Sequence, residues 1–275
     1  MSTILDEIIA RKRVRIEESK RTANVALLIH RARHGRQMRR HFAAAISREG
    51  RINIIAEFKR ASPSKGVINN SLDPASVARA YMNGGACAIS VLTEEDYFQG
   101  ALDDLRAVRD EVELPILRKD FIIDEYQIYE SAAVGADAIL LIVSALTSEN
   151  LRRFQKLAHD VGLGVVVEVH DRDELEIAKS IGAHIIGVNN RDLRTFEVSL
   201  DVSRELVKHV PADAITIVES GLRTREDLVE LRSIGYSAFL IGETLMRSND
   251  TEKELRELAT EGTETTESSI SRISQ

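Results

Sequence analysis

Five ionisable residues stand at or near the ends of apolar runs. Glu57 and Lys59 lie in IIAEFKRASPSKG (residues 54–66), Lys119 in LPILRKD, Glu168 in VVVEVH and Glu219 in AITIVES. On a strand, positions i and i+2 point to one face, so Glu57 and Lys59 project side by side. Burying charges is costly unless they are paired or employed. Three carboxylates and two lysines gathered together suit proton transfer, which needs acids and bases whose pKa values are pushed apart by burial and neighbours. Lysines among carboxylates hold charge, donate protons or clamp an anionic substrate. A structural ion pair is the competing reading for any one of these residues, and it weakens for all five together.

Other residues stand at similar places. Asn189 stands near the end of GVNN and Arg191 follows two positions later; taken alone they read as a turn asparagine and a surface arginine. ASPSKG supplies Ser62, Ser64, Lys65 and Gly66, ESG brings Ser220 and Gly221, and IGE brings Gly242 and Glu243. Small residues at these three places suit a phosphate held by backbone N–H groups, although each glycine alone reads as a tight turn. Glu243 is odd company for an anion, so its backbone rather than its carboxylate is expected to face the phosphate. Phe98, in DYFQG, either stacks on an apolar or aromatic substrate or caps the core. The histidines are scattered. His170 has a plausible rim position, but no H-x-H or H-E-x-x-H pair exists, so no metal is expected.

The elements that must position these groups alternate from residue 52 onward. Apolar runs at 52–59, 86–93, 114–120, 137–143, 163–170, 184–190, 214–220 and 238–243 read as eight strands. Helical stretches lie between them. Asp73 before Pro74 reads as a cap and first helical residue, with Gly84 as the stop. Thr224 with Asp227 opens another helix, and Asp124, Thr147 and Asp171 are further caps. Nearly continuous apolar strands alternating with helices mean a parallel sheet covered by helices. Eight repeats in about 200 residues predict a (β/α)8 TIM barrel. A doubly wound open sheet is the runner-up; it would want a G-x-G-x-x-G loop after the first strand, and none is there.

GACAISV, GADAILL, GAHIIGV and GYSAFLI recur at Gly85, Gly135, Gly182 and Gly235, each a helix stop leading into an even-numbered strand. The odd strands carry the ionisable residues. Alternate strands of such a barrel share layers of its interior, and active sites lie at the carboxyl ends of the strands. The charges are therefore expected to converge there. Glu168 faces inward with Val166 if Val165 and Val167 face the helices.

Residues 1–50 read as an N-terminal helical extension, with an amphipathic helix opened by a Thr3–Asp6 capping box and a short helix around Phe42, Ala45 and Ile46. Residues 51–250 form the barrel, and 251–275 a helix followed by a disordered polar tail. The chain has 275 residues, is 43% hydrophobic and 29% charged, and carries a net charge of −7. This is ordinary globular composition and argues against nucleic acid as a partner. The basic run RARHGRQMRR (31–40) reads as a solvated helix or loop, with a phosphate patch as the alternative. One cysteine, Cys87, excludes a disulfide framework. The amino terminus lacks the apolar core of a signal peptide and no run approaches membrane-spanning length, so a cytoplasmic protein without a membrane partner is expected.

Seven segments in order resemble the indole-3-glycerol-phosphate synthase family: IIAEFKRASPSKG, ISVLTEEDYFQGALDDL, LPILRKDFIID, VEVH, IGVNNRDL, VESGL and FLIGETLMR. The likeness runs from the first helix to about residue 248. It implies closure of the ring of 1-(2-carboxyphenylamino)-1-deoxyribulose 5-phosphate, with loss of CO2 and water and no cofactor. It implies Lys119 as general acid. Glu168 would help remove the hydroxyl or take the final proton, and Lys59 would bind the substrate carboxylate and assist as an acid. Glu57, Asn189 and Glu219 would orient the lysines and the substrate hydroxyls. Ser62, Gly221 and Gly242 would hold phosphate with Ser220 nearby, Arg191 would help bind the anion, and Phe98, Leu140 and Leu193 would flank the anthranilate ring. The extension would cover the barrel mouth. A monomer or weak homodimer is expected. Another phosphate-binding barrel enzyme, such as a sugar-phosphate isomerase or Schiff-base aldolase, and a non-catalytic binding subunit are the alternatives.

Overall fold

The computed structural model describes residues 3–69, 71–193 and 195–260; the expected polar tail at 261–275 lies outside them. Every apolar run of the alternating region is a strand: β1 Asn53–Phe58, β2 Ala88–Leu92, β3 Ile116–Lys119, β4 Ala138–Ile142, β5 Gly164–Val169, β6 Ile185–Asn189, β7 Ile215–Glu219 and β8 Ala238–Ile241. Each pairs in parallel with its neighbours, and β8 returns to β1, so the sheet closes into a barrel. A closed sheet has no free edge, which leaves side-chain parity to decide what faces inward.

That parity splits the core in two. Ile55, Leu117, Leu140, Val166, Ile217 and Leu240 pack together inside the barrel. Ile54, Ile116, Ile139, Val165, Val167 and Phe239 pack outward against the helices. Full burial of each such side chain stabilises by about 1.5–3 kcal/mol. Val166 and its two neighbours fall on the sides anticipated for them. A slip of one residue in any strand would exchange the two faces, so this pattern fixes the register.

The shell begins with α4 Pro74–Asn83, α5 Leu102–Glu111, α6 Glu125–Ala133, α7 Ser148–Asp160 and α8 Arg172–Ser180. It is completed by α9 Asp201–Leu206, α10 Arg225–Ser233, α11 Glu243–Arg247 and α12 Thr251–Ala259. Asp73, Asp124, Thr147, Asp171 and Thr224 all accept a hydrogen bond from the first turn of their helices. Gly85, Gly135, Gly182 and Gly235 have φ of 92°, 94°, 70° and 119°, the left-handed backbone that reverses a helix into the next strand.

Ahead of the barrel lie α1 Ile4–Thr22, α2 Val25–His34 and α3 Phe42–Ile46. Thr3 and Asp6 form the capping box of α1. Ile8 of α1 and Phe42 and Ile46 of α3 belong to the inner cluster. Phe42 lies beside Gly164 at the start of β5, so α3 closes the floor of the barrel. α2 packs against α6.

Most of the basic run is the solvated helix expected, with Arg31, Arg33, His34 and Arg36 exposed, but its last two arginines are not. Arg39 donates to the carbonyls of Ala32, Ala132, Ala136 and Val161, and Arg40 to those of Val112 and Leu114. The Arg40 backbone N–H donates to Asp137, just before β4, whose carboxylate also accepts from Arg109 and the Ile116 N–H. These arginines bind the extension to the strand-entry end of the barrel, satisfying carbonyls that helix ends leave open.

Candidate active site

At the opposite end, a cavity of about 680 Å3 opens above the strand termini. Glu57, Lys59, Lys119, Glu168, Asn189 and Glu219 all line it. The strands deliver them by position. Lys119, Asn189 and Glu219 are the last residues of β3, β6 and β7, and Glu168 is the penultimate residue of β5. Register sets Asn189 beside Glu219 and Glu168 beside Gly187.

Two ion clusters result. Lys59 Nζ lies 2.6 Å from Glu57 Oε1. Lys119 Nζ lies 2.9 Å from Glu168 Oε2 and 2.7 Å from Glu219 Oε2. Glu168 Oε1 accepts from Asn189 Nδ2 at 3.1 Å. The two glutamates need room, and small residues on even strands give it. A Cβ on Gly187 would lie 2.4 Å from Glu219 Oε1, and one on Gly242 would lie 2.5 Å from Glu57 Oε1.

Burial works against the charge of Lys119, but Glu168, Glu219 and Glu57 outweigh it and hold the ammonium well above its ordinary range. Burial also disfavours the Glu168 carboxylate, yet Lys119 and His170 hold it well below the usual range. Glu219 goes the other way. Burial, then the nearby Glu168 charge, pushes it up to about 7 despite Lys119. Two carboxyls sharing one lysine therefore differ in proton affinity, the arrangement that acid–base chemistry uses.

A second region lies across the cavity. Ser62, Ser64 and Lys65 approach from the hairpin after β1, Ser220 and Gly221 from the turn after β7, and Gly242 and Glu243 from the end of β8. Ser220 and Gly221 have φ of 65° and 86°. Asn190 braces this turn: its Nδ2 donates to the carbonyls of Glu219 and Ser220, while its Oδ1 accepts from Ser203 N and Oγ. Arg191 reaches over to Ser64 Oγ and the Phe196 carbonyl. The Glu243 carboxylate is turned to cations, 3.3 Å from Arg247 and 3.8 Å from Lys65.

The remaining wall is apolar. Phe98, Leu140 and Leu193 line it together with Leu92, Phe121 and Ile142. The Phe98 ring packs on Phe121, with centroids 6.2 Å apart, and lines the cavity. Its loop is held by Glu94, whose carboxylate accepts from the N–H groups of Asp96, Tyr97 and Phe98. Ile4, Leu5 and Ile8 of α1 form the roof.

The sequence model of the family described as "Indole-3-glycerol phosphate synthase" matches residues 5–258. This chain belongs to the indole-3-glycerol phosphate synthase family. An indole-3-glycerol phosphate synthase of Acetivibrio thermocellus is 47% identical over 255 residues, covering 92% of this chain and 98% of the relative. One from Neisseria meningitidis serogroup B is 45% identical over 261 residues, covering 94% and 100%. Among solved structures, the thiamine phosphate pyrophosphorylase of Pyrococcus furiosus superposes with a TM-score of 0.57 at 17% identity, over 75% of this chain and 93% of that one. The N-acetylmannosamine-6-phosphate 2-epimerase of Clostridium perfringens gives 0.58 at 17%, over 74% and 90%. At such identity these two speak for the fold alone.

Sequence reasoning toward this family passed over two residues that brace the site from behind its lining. Lys12 of α1 is buried and lies 2.9 Å from Asp120, the neighbour of Lys119, and 2.7 Å from Glu95. His170, weighed there only as a metal ligand, lies against Glu168. Among the described residues no cluster of three His, Cys, Asp or Glu side chains has a metal-holding arrangement, and no helix is long and apolar enough to cross a membrane.

Proposed function

We propose that Lys119 is the general acid and Glu168 the base of the reaction that the family catalyses. The chain is a lyase of this family, an indole-3-glycerol phosphate synthase. It closes the ring of 1-(2-carboxyphenylamino)-1-deoxyribulose 5-phosphate with loss of CO2 and water. The aromatic carbon bearing the carboxylate attacks the ketone carbon, and the ketone oxygen must gain a proton as that bond forms. Lys119, kept protonated among three carboxylates, supplies it. The bond to CO2 then breaks and its electrons restore the aromatic ring. The new hydroxyl leaves as water on taking a proton from Lys59, the assisting acid, and the five-membered ring loses a proton to Glu168, which is held ionised for that task.

The other groups bind and orient. Lys59 takes the substrate carboxylate, with Glu57 aiming it. Asn189 and Glu219 hold Lys119, Glu168 and the substrate hydroxyls in place. Ser62, Gly221 and Gly242 hold the phosphate, with Ser220 beside it, the Glu243 backbone at its edge and Arg191 adding charge. Phe98, Leu140 and Leu193 flank the anthranilate ring. The carboxylate of Glu243 serves Lys65 and Arg247 rather than the anion.

The placement of Lys119 Nζ within 3 Å of two buried glutamates carries this reading. It also speaks against a Schiff-base aldolase, whose lysine must lose its proton to become a nucleophile. The test is indole-3-glycerol phosphate fluorescence from purified protein and the anthranilate-ribulose phosphate, with EDTA present. Turnover should persist in EDTA and fall about 10²–10⁴-fold in Lys119→Met and in Glu168→Gln. Folded variants that turn over normally would overturn the assignment, and trapping of Lys119 by borohydride would replace it with the aldolase reading.

A further inference from the structure

Lys119 lies almost equally close to Glu168 and Glu219, at 2.9 and 2.7 Å, so distance to the lysine does not distinguish the two carboxyls. Their other surroundings do. Glu168 receives Asn189 Nδ2 at 3.1 Å and has His170 Nε2 3.2 Å from its Oε1. Glu219 Oε1 lies over Gly187, buried and without a hydrogen-bond partner. His170 is itself clamped. A single oxygen of Glu174, Oε2, accepts from both the His170 backbone N–H and Nδ1, each at 2.9 Å. Carboxylate oxygens thus face both ring nitrogens: Nδ1 makes the hydrogen bond to Glu174, while Nε2 stands at 3.2 Å from Glu168 Oε1 as a charge contact without hydrogen-bond alignment, a setting that favours the doubly protonated imidazolium.

We propose that His170 is a positioning residue that keeps Glu168 ionised, so that Glu219 is the carboxyl of the pair that takes up the first proton. The groups facing this pair are few. Lys119 comes from β3, Glu219 from β7, Asn189 from β6 and Glu174 from α8. The turn Val143–Ala145, which packs on both β5 and α8, carries no ionisable residue. His170 is thus the one cation beside Glu168, among the described residues, that does not also touch Glu219. Burial disfavours the imidazolium, but Glu168 and Glu174 overcome this and raise His170 to about 10. With that charge in place, a proton entering the cluster goes to Glu219, and Glu168 stays free to act as base.

This inference rests on Glu168 being the base, and the experiment separates the two. The pH dependence of kcat/KM is measured for the wild type, His170→Gln and Glu168→Gln. His170→Gln keeps a neutral amide near Glu168 and loses the charge. Its acid limb should move up by about one pH unit or more, the size of effect a close charge exerts. Below the shifted limb the loss then approaches tenfold, and at pH 8.5 it is absent. Glu168→Gln should lose turnover at every pH. An equal loss at all pH values in His170→Gln, with Glu168→Gln inactive, overturns the role of His170 alone. Normal turnover by Glu168→Gln overturns both. If His170→Gln does not fold, the ring titration decides, followed by NMR of protein labelled in its histidines. His170 should remain protonated through pH 8 and titrate lower in Glu174→Gln. A ring that is neutral near pH 7, or one indifferent to Glu174→Gln, overturns the proposal.

Discussion

At the scale of single residues, the site turns on what each buried charge would do without its partner. Lys119→Met keeps the bulk of the side chain and removes the proton. Glu168 and Glu219 then lose their shared cation, but both carboxyls can protonate, so the barrel is expected to stay folded while kcat falls about 10²–10⁴-fold, the range for a lost general acid. Single-turnover fluorescence beside a circular dichroism spectrum checks both halves. Glu219 makes a different prediction. Its pKa of about 7 in the fold exceeds the value of about 4.3 in an unfolded chain. Between these values the folded protein binds a proton that the unfolded chain does not. Stability contributed by this group is therefore present at low pH and lost as pH rises through about 7. Glu219→Gln cannot ionise, so it should melt above the wild type at pH 8, by roughly 2–4 °C per kcal/mol recovered. The difference should shrink toward pH 5. Equal shifts at the two pH values would count against the raised pKa.

At the scale of elements, strands hold the charges and their neighbours make room for them. A methyl group at Gly187 cannot coexist with Glu219 Oε1 in its observed position. Gly187→Ala should therefore displace Glu219 and, through it, Lys119, lowering kcat at least tenfold, about 1.4 kcal/mol of barrier; steady-state kinetics reads this directly. The strands and their inward charges were legible because apolar runs with period-two parity and charged ends leave a clear pattern. The joints between elements were not. Lys12 sits in a basic stretch, Arg11-Lys12-Arg13, with nothing to mark it, and its partner Asp120 lies far along the chain. Arg39 and Arg40 seek backbone carbonyls, which have no sequence signature. His170 finds Glu174 across a strand–helix boundary, where neither period applies. Lys12 also makes the element-scale prediction for the roof. Lys12→Met leaves Asp120 to Arg118 and Thr93. Urea unfolding should show a loss of roughly 3 kcal/mol, the low end for one partner removed from a buried pair. Amide exchange should quicken in α1 and not in α7.

At the scale of the whole molecule, the roof, the floor and part of the wall of the barrel come from segments that the alternating pattern does not include. α1 roofs the cavity, α3 closes the floor and α12 completes the wall. α12 packs against α4, α10 and α11, with Leu255 and Leu258 buried. Gly84, at the end of α4, is what lets it approach, since a Cβ there would lie 3.0 Å from Leu255 Cβ. Arg256 adds hydrogen bonds to the Asn83 carbonyl. α12 contributes nothing to the cavity, whose lining ends at Arg247. Its contribution is therefore to stability rather than to chemistry. Two buried leucines supply about 3–6 kcal/mol at about 1.5–3 kcal/mol each, a large share of the 5–15 kcal/mol that holds an ordinary domain together. A chain ended after Asn249 should thus melt well below the full chain and expose the apolar faces of α4 and α10, giving stronger binding of a hydrophobic dye. At a temperature where it is still folded, its kcat should match that of the full chain, because every residue that lines the cavity is retained. A truncated chain with an unchanged melting temperature would show that α12 is dispensable to the barrel. One that melts normally but turns over slowly would mean that α4 and α11 pass strain from α12 to Gly242 and the phosphate end of the cavity.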